Sequence, residues 1–138
     1  MAGQTFKYGN ACQQFGTAQW NWTALAVNAM LVNALYTPNI NGDVHVSDIP
    51  AAAILIRDIA LTNLGMANGI ASGIIPTFNS FLSPTPVAAV VLYVRVNGND
   101  AASQLIYYSS SGIGFPFLAQ GFNYAVVQDL TNGGWFQV

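Results

Sequence analysis

Short apolar runs, cut apart by turn signals, constrain this chain more than any single motif. Turn dipeptides stand at Gly9-Asn10, Asn41-Gly42, Asn68-Gly69 and Asn97-Gly98, with Asn132-Gly133-Gly134 near the end. Pro38, Pro50, Pro76, Pro84, Pro86 and Pro116 add further breaks. β-Branched and aromatic residues fill the stretches between. Punctuation this dense reads as an all-β fold, an antiparallel β-sandwich (jelly-roll-like) of about seven or eight strands with one or two short helices. The 138 residues suit one domain, 1–138, with 1–8 free to extend as an N-terminal arm.

The pattern predicts strands over 25–32, 54–62, 70–78, 87–96, 103–109, 122–128 and 135–138. A hairpin joins 87–96 to 103–109 across Asn97-Gly98-Asn99-Asp100, where Asn-Gly supplies the positive φ of tight turns. A second hairpin is predicted from 122–128 to 135–138 across Thr131-Asn132-Gly133-Gly134. Short helices are expected at 10–15 and, with Ser47-Asp48-Ile49-Pro50 as the cap, at 51–53.

A half-exposed antiparallel strand alternates apolar and polar residues. Strand 87–96 does not: Val87, Ala89, Val91 and Tyr93 lie on one face, and Ala88, Val90, Leu92, Val94 and Val96 on the other. Strand 54–62 is similar, with Leu55, Ile59 and Leu61 opposite Ile54, Ile56 and Ala60. One face lines a core; the other needs cover from the chain's own loops or from another subunit. Burying such a side chain is worth roughly 1.5–3 kcal/mol, and wet rows of them invite aggregation. Only 6% of residues are charged, against about 25% in an ordinary domain. So thin an ionic coating favours subunit contact as the cover.

The same inventory excludes several functions. No apolar run nears the ~18–20 residues of a membrane-spanning helix; the windows 49–61 and 87–96 carry Arg57, Asp58 and Arg95. Lys7, Arg57 and Arg95 are the only cations, too few for a phosphate-binding surface. Cys12 alone makes no intrachain disulfide, and Met-Ala-Gly-Gln-Thr-Phe-Lys lacks a signal-peptide core, so synthesis in a cytoplasm is expected. One His, no Glu, and carboxylates limited to Asp43, Asp48, Asp58, Asp100 and Asp129 leave little for acid–base catalysis. No catalytic residue and no cofactor are expected.

The run 39–48, Asn-Ile-Asn-Gly-Asp-Val-His-Val-Ser-Asp, has the alternating oxygens of a calcium loop, but its Gly offset is wrong and no Glu closes it. An Asx-rich turn is the better account. His45 with Ser47 and Asp48 has no nucleophile elbow to make a triad. Gly69-Ile70-Ala71-Ser72-Gly73 and Gly112-Ile113-Gly114 are turns or bulges, lacking a nucleotide-site context. Asn21-Trp22-Thr23 is a glycosylation sequon that matters only on secretion. Arg57 and Arg95 read as ion-pair partners of Asp58, Asp100 or Asp129 at a packed face or subunit boundary. The aromatics read as core and interface packing, with a sugar-stacking platform as the other reading.

Val90-Val91-Leu92-Tyr93, Asn97-Gly98-Asn99-Asp100 and Ser103-Gln104-Leu105-Ile106-Tyr107-Tyr108, followed by Gly114-Phe115-Pro116 and Gly133-Gly134-Trp135-Phe136, form a series. It resembles the hairpin, loop and closing strand of a family of small virion proteins of tailed bacteriophages. Trp20-Asn21-Trp22, Met30-Leu31-Val32, Tyr36-Thr37-Pro38-Asn39 and Val46-Ser47-Asp48-Ile49-Pro50 are similar more loosely. The chain departs from the family where Val96-Asn97-Gly98 replaces Thr-Gly and Ser109-Ser110-Ser111 replaces acidic residues. The resemblance implies a β-sandwich without catalysis, built into the virion at the capsid surface as a decoration or cement protein. Its partners would be the major capsid protein and copies of itself, with a homotrimer favoured. The residues expected at such contacts are Trp20, Trp22, Arg57, Tyr93, Arg95, Tyr108, Phe115 and Phe117. A tail or head–tail adaptor component is the alternative within the same class. A carbohydrate-binding module using Trp20, Trp22 and Tyr108 is the alternative outside it.

Overall fold

The computed structural model describes residues 5–110, 116–124 and 136–137, which form a mostly β, antiparallel, sandwich-like fold. The first half of the chain supplies strand β1 (Thr5–Lys7), helix α1 (Gly9–Gly16), and strands β2 (Val27–Val32), β3 (Ile54–Ala60) and β4 (Thr62–Ala67). Strands β5 (Ile70–Ile74), β6 (Phe78–Leu82), β7 (Ala89–Val94), β8 (Gln104–Ser109), β9 (Gln120–Tyr124) and β10 (Phe136–Gln137) follow. Single 3-10 turns occupy Trp22–Ala24, Val46–Asp48 and Ala51–Ala53. Among the described residues the strands make three sheets: β1-β8-β7-β2-β3, β10-β5-β4, and the pair β6-β9.

The five-stranded sheet holds most of the core. All six residues of β2 are buried, as are Ala89 through Tyr93 of β7 and Leu105 through Ser109 of β8. Successive strand residues point to opposite faces, so both faces of these strands are covered. The chain does this itself. Val46, Ile49 and Ala53 come from a segment tied at one end to Ser103 (Val46 N–H to its carbonyl, 2.8 Å) and at the other to Asn33, whose N–H reaches the Ala53 carbonyl at 2.9 Å. Tyr8, Ala11, Trp22, Ala71, Ile75, Phe78 and Phe81 complete the same core. The expectation that a second subunit covers the other face of 87–96 is therefore corrected. Strand 54–62 differs: Ile54, Leu55, Ile56 and Ile59 remain half-buried.

The two edges of this sheet are unlike. Along β8, β1 pairs with Tyr107, Tyr108 and Ser109; the Tyr8 N–H then takes the Ile106 carbonyl, and Val44 and Val46 exchange bonds with Leu105 and Ser103. That edge is closed from end to end. Residues 5–8 are thus docked on their own sheet, with Tyr8 fully buried, and are not the free arm expected. The opposite edge, β3, has no strand on its outer side among the described residues. It carries two bulges: between Val32/Ile54 and Leu31/Ile56, and between Leu31/Ile56 and Ala29/Ile59, the register of β3 shifts against β2. The second bulge turns on Asp58, held at φ +62. Bulges and charges are common ways of blunting an open edge.

The 87–96/103–109 hairpin forms as β7 and β8, with Gly98 at φ +71. The second hairpin is not seen among the described residues, where β9 pairs with β6, and β10 with β5. Its turn, 131–134, lies outside the described residues. The strand expected over 70–78 stops at Ile74, before Pro76, whose missing N–H cannot serve a ladder. Strands β4 and β6 were not legible, because Thr-Asn-Leu-Gly-Met-Ala and Phe-Asn-Ser-Phe-Leu read as turn-rich rather than alternating. Asn68 (φ +54) and Gly69 (φ +77) join β4 to β5 in a two-residue turn with both residues left-handed, the geometry that suits strand twist. Helix 10–15 is found as α1, and 51–53 as a 3-10 turn without a side-chain cap.

Leu92→Ala is expected to lower stability by about 2–5 kcal/mol, since the side chain is fully buried and its loss leaves a cavity. A urea midpoint unchanged from the parent would contradict its burial. At Gly98 an added Cβ meets nothing within 4 Å, so Gly98→Val tests the left-handed backbone alone. A loss of about 1–3 kcal/mol is expected.

Candidate interaction surface and ionic cluster

Two of the chain's three cations and two of its five carboxylates gather where β3 bulges beside the β7–β8 loop. Arg57 grips Asp100 with both terminal nitrogens, at 2.6 and 3.0 Å, and its Nε lies 3.4 Å from Asp58. Arg95 Nε approaches the same Asp58 oxygen at 3.3 Å. Beneath them, fully buried Tyr93 accepts the Asp58 backbone N–H at 2.7 Å and donates its hydroxyl to the Asp58 carboxylate. Tyr93 thus satisfies both polar groups that the left-handed Asp58 turns inward. The ion-pair reading of Arg57 and Arg95 with Asp58 and Asp100 holds; Asp129 lies outside the described residues.

The electrostatics follow from these contacts. Burial opposes ionisation of Asp58, but the Tyr93 hydroxyl and the Arg57 and Arg95 guanidinium groups outweigh it and hold its carboxyl below the usual range. Arg57 does the same for Asp100, and Asp100 in turn raises Arg57. Burial raises Tyr93, and its bond to Asp58 adds to that. A groove of about 500 Å³ opens below the Arg57–Asp100 bridge, lined by Val46, Ile49, Pro50, Ile54 and Ile56. Ser47, Arg57 and Asp100 also line it, and the last two are paired with each other.

The 39–48 run folds as the Asx-rich turn expected. Asn41 and Gly42 donate N–H to Asn39 Oδ1, and Asp43 accepts the Asn39 N–H at 2.8 Å. Asp48 takes the His45 and Val44 N–H groups, which lower its carboxyl. Asp43 also accepts the Tyr36 hydroxyl at 2.8 Å, which leaves Tyr8 to donate to Tyr36 at 2.7 Å. Burial raises both tyrosines. Among the described residues no group of three or more His, Cys, Asp or Glu is placed to hold a metal ion.

A second surface lies at the opposite end of β7, where the Ala88 N–H meets the Val32 carbonyl. Asn33 bonds the Thr85 hydroxyl at 3.0 Å and, through Oδ1, the Leu35 N–H. Ser83 and Ala119 bond each other, and Val87 pairs with Phe117. Three segments, 33–36, 82–87 and 117–119, are thereby laced together, and they present Leu82 at 71% exposure, Leu35 at 64% and Leu118 at 47%. Sequence reasoning missed all three leucines, because no periodic pattern marks a residue that leaves a strand end outward.

The residues expected at subunit contacts scatter. Trp22 is buried, its indole N–H on the Ser72 carbonyl at 2.8 Å, Tyr93 is buried under the ionic cluster, and Tyr108 is buried against Phe6 with stacked rings 5.3 Å apart. These three are corrected: they pack inside the chain, and the sugar platform of Trp20, Trp22 and Tyr108 does not form. Trp20 is half-buried against Phe15, and Phe117 half-buried against Tyr124. Arg57 and Arg95 reach the surface. Phe115 lies outside the described residues. Compared with known protein families, curated proteins and solved structures, the chain matches none.

Tyr93→Phe is expected to cost about 1–3 kcal/mol, because it strands the Asp58 N–H and removes a bond to a charged group. Unchanged thermal stability would contradict the role given to that hydroxyl. The pH profile has two limbs. Asp48, Asp58 and Asp100 are depressed in the folded chain, so their contribution is whole above the ordinary carboxylate range and fades as pH falls below about 4. Tyr8, Tyr36 and Tyr93 are raised, so the unfolded chain ionises first and stability falls as pH climbs past about 10. Urea midpoints across pH, with phenolate absorbance followed alongside, check both limbs.

Proposed function

We propose that this chain is a non-enzymatic virion structural protein, a decoration or cement protein that strengthens the head of a tailed bacteriophage. It would do so by binding the major capsid protein and further copies of itself, as a trimer. Because the chain seals β2 and β7 on its own, those strands make no demand for a neighbour, and the support comes from elsewhere. The observation that carries the reading is the exposure of Leu35, Leu82 and Leu118 on three segments that hydrogen bonds tie to one another. Large apolar side chains exposed on neighbouring segments are what a contact surface would use, above all in a chain with so little charge. The open edge of β3 and the likeness of the 90–108 hairpin to the phage family add to it. Several modest contacts per copy, repeated over a lattice, sum to firm attachment.

Sedimentation velocity and co-sedimentation with expanded heads of the cognate major capsid protein test this. The expected result is self-association and head binding, with Leu35→Ser plus Leu82→Ser weakening attachment roughly tenfold or more for each leucine buried at contact. A protein that stays monomeric when concentrated and ignores the heads would overturn the reading.

A further inference from the structure

The geometry points to Asn97 as a site of self-modification: its side-chain amide is set up to be lost as ammonia, leaving a carboxylate on the guanidinium of Arg95. The Asn97-Gly98 pair is exposed in the β7–β8 loop. Arg95 Nη2 lies 3.1 Å from Asn97 Oδ1. A guanidinium has only donors, so it must face the amide oxygen rather than its nitrogen. That contact draws electron density from Cγ and stands ready to stabilise the negative oxygen that forms when Cγ is attacked. The attacking atom is the Gly98 backbone nitrogen. Its residue has no side chain, a Cβ built there would meet nothing within 4 Å, and among the described residues its N–H has no protein acceptor.

The step balances without any outside oxidant or reductant. A base, hydroxide or water, removes the Gly98 amide proton, and the nitrogen forms a bond to Asn97 Cγ. The Cγ–Nδ2 bond breaks, and ammonia departs with a proton from water. Water then opens the five-membered imide, giving aspartate at this position or its isomer linked through the side-chain carboxyl. The product adds a negative charge to a cluster in which Arg57 and Arg95 now balance Asp58 and Asp100. The new carboxylate competes with Asp58 for Arg95. The side-chain-linked isomer also lengthens the backbone inside the turn closed by the Asn99 N–H on the Val96 carbonyl.

The other described Asn-Gly pairs are placed differently. Gly42 N–H, the would-be nucleophile after Asn41, is held by Asn39 Oδ1 at 3.0 Å. Asn68 and Gly69 are both left-handed between the paired residues Ala67 and Ile70, so the ladder on each side resists the rotation that ring closure needs. Neither pair has a guanidinium on its amide oxygen in any contact described.

The test is to hold the intact purified protein at mildly alkaline pH and follow amide-to-acid conversion by peptide mass mapping. Three sites are read at once: Asn41, Asn68 and Asn97. Asn97 is expected to convert severalfold faster than either of the others in the folded protein. In urea, where only the local Asn-Gly sequence remains, the three rates should converge. Arg95→Gln should slow Asn97 severalfold while leaving Asn68 unchanged. If that variant folds poorly, the folded-versus-urea comparison of the parent decides alone. Equal rates in the folded state, the same ranking in urea, or an Asn97 rate indifferent to a well-folded Arg95→Gln would each overturn the proposal.

Discussion

Two neighbouring strands, β2 and β7, are buried on both faces and, apart from Asn28, apolar on both, so neither face can be left to water. This requirement organises the rest of the molecule. One face of an ordinary antiparallel sheet is free to carry polar residues; here the chain must return over its own sheet on both sides. The long connection through 44–53 does part of this, anchored at Ser103 and at Asn33. Helix α1, Trp22 and the smaller sheets contribute the remaining cover. Polar groups drawn inside by this wrapping are met locally, as where the Trp22 indole finds the Ser72 carbonyl and Tyr8 finds Tyr36. A buried polar group left unmet would cost more than the bond itself contributes.

Half of the chain's eight charged side chains gather in one place. With so few ionic groups available, the chain sets Arg57, Arg95, Asp58 and Asp100 together over Tyr93 at the β3 bulge. Each pair by itself is partly solvated and contributes little to stability. Collected around a left-handed Asp58 whose N–H and carboxylate both engage one buried hydroxyl, they fix a backbone shape that a regular strand would not adopt. That shape interrupts the open edge of β3. The edge along β8 is managed in another way, by the chain's own β1 and the 44–46 segment. The two edges therefore solve the same problem, an unpaired ladder, by different means.

This leaves the exposed leucines at the far end of β7 as the part of the surface that the interior does not explain. Leu35 follows β2, Leu82 ends β6 and Leu118 precedes β9, and the fold of one copy leaves all three exposed.

Local chemistry was legible in the sequence wherever one short segment decided the outcome. The turn dipeptides marked the β7–β8 hairpin and the Asn68-Gly69 reversal, the absence of alternation in 87–96 marked a strand buried twice over, and the scarcity of carboxylates narrowed the arginines' mates to Asp58, Asp100 and Asp129, of which the first two are found. What sits against what was not legible. Residues 1–8, of which 5–8 are described, read as a free arm, the last strands as a hairpin, and Trp22, Tyr93 and Tyr108 as contact residues. Each was settled by a partner distant in the chain: β8 for the arm, β5 and β6 for the last strands, Ser72, Asp58 and Phe6 for the aromatics. The antiparallel β class, and which strands shun water, were written into the order of residues, because period and turn chemistry act within a few positions. That the chain, and not a neighbour, covers those strands came from the fold alone. The free energy of covering an apolar face depends on the area removed from water, not on which segment removes it.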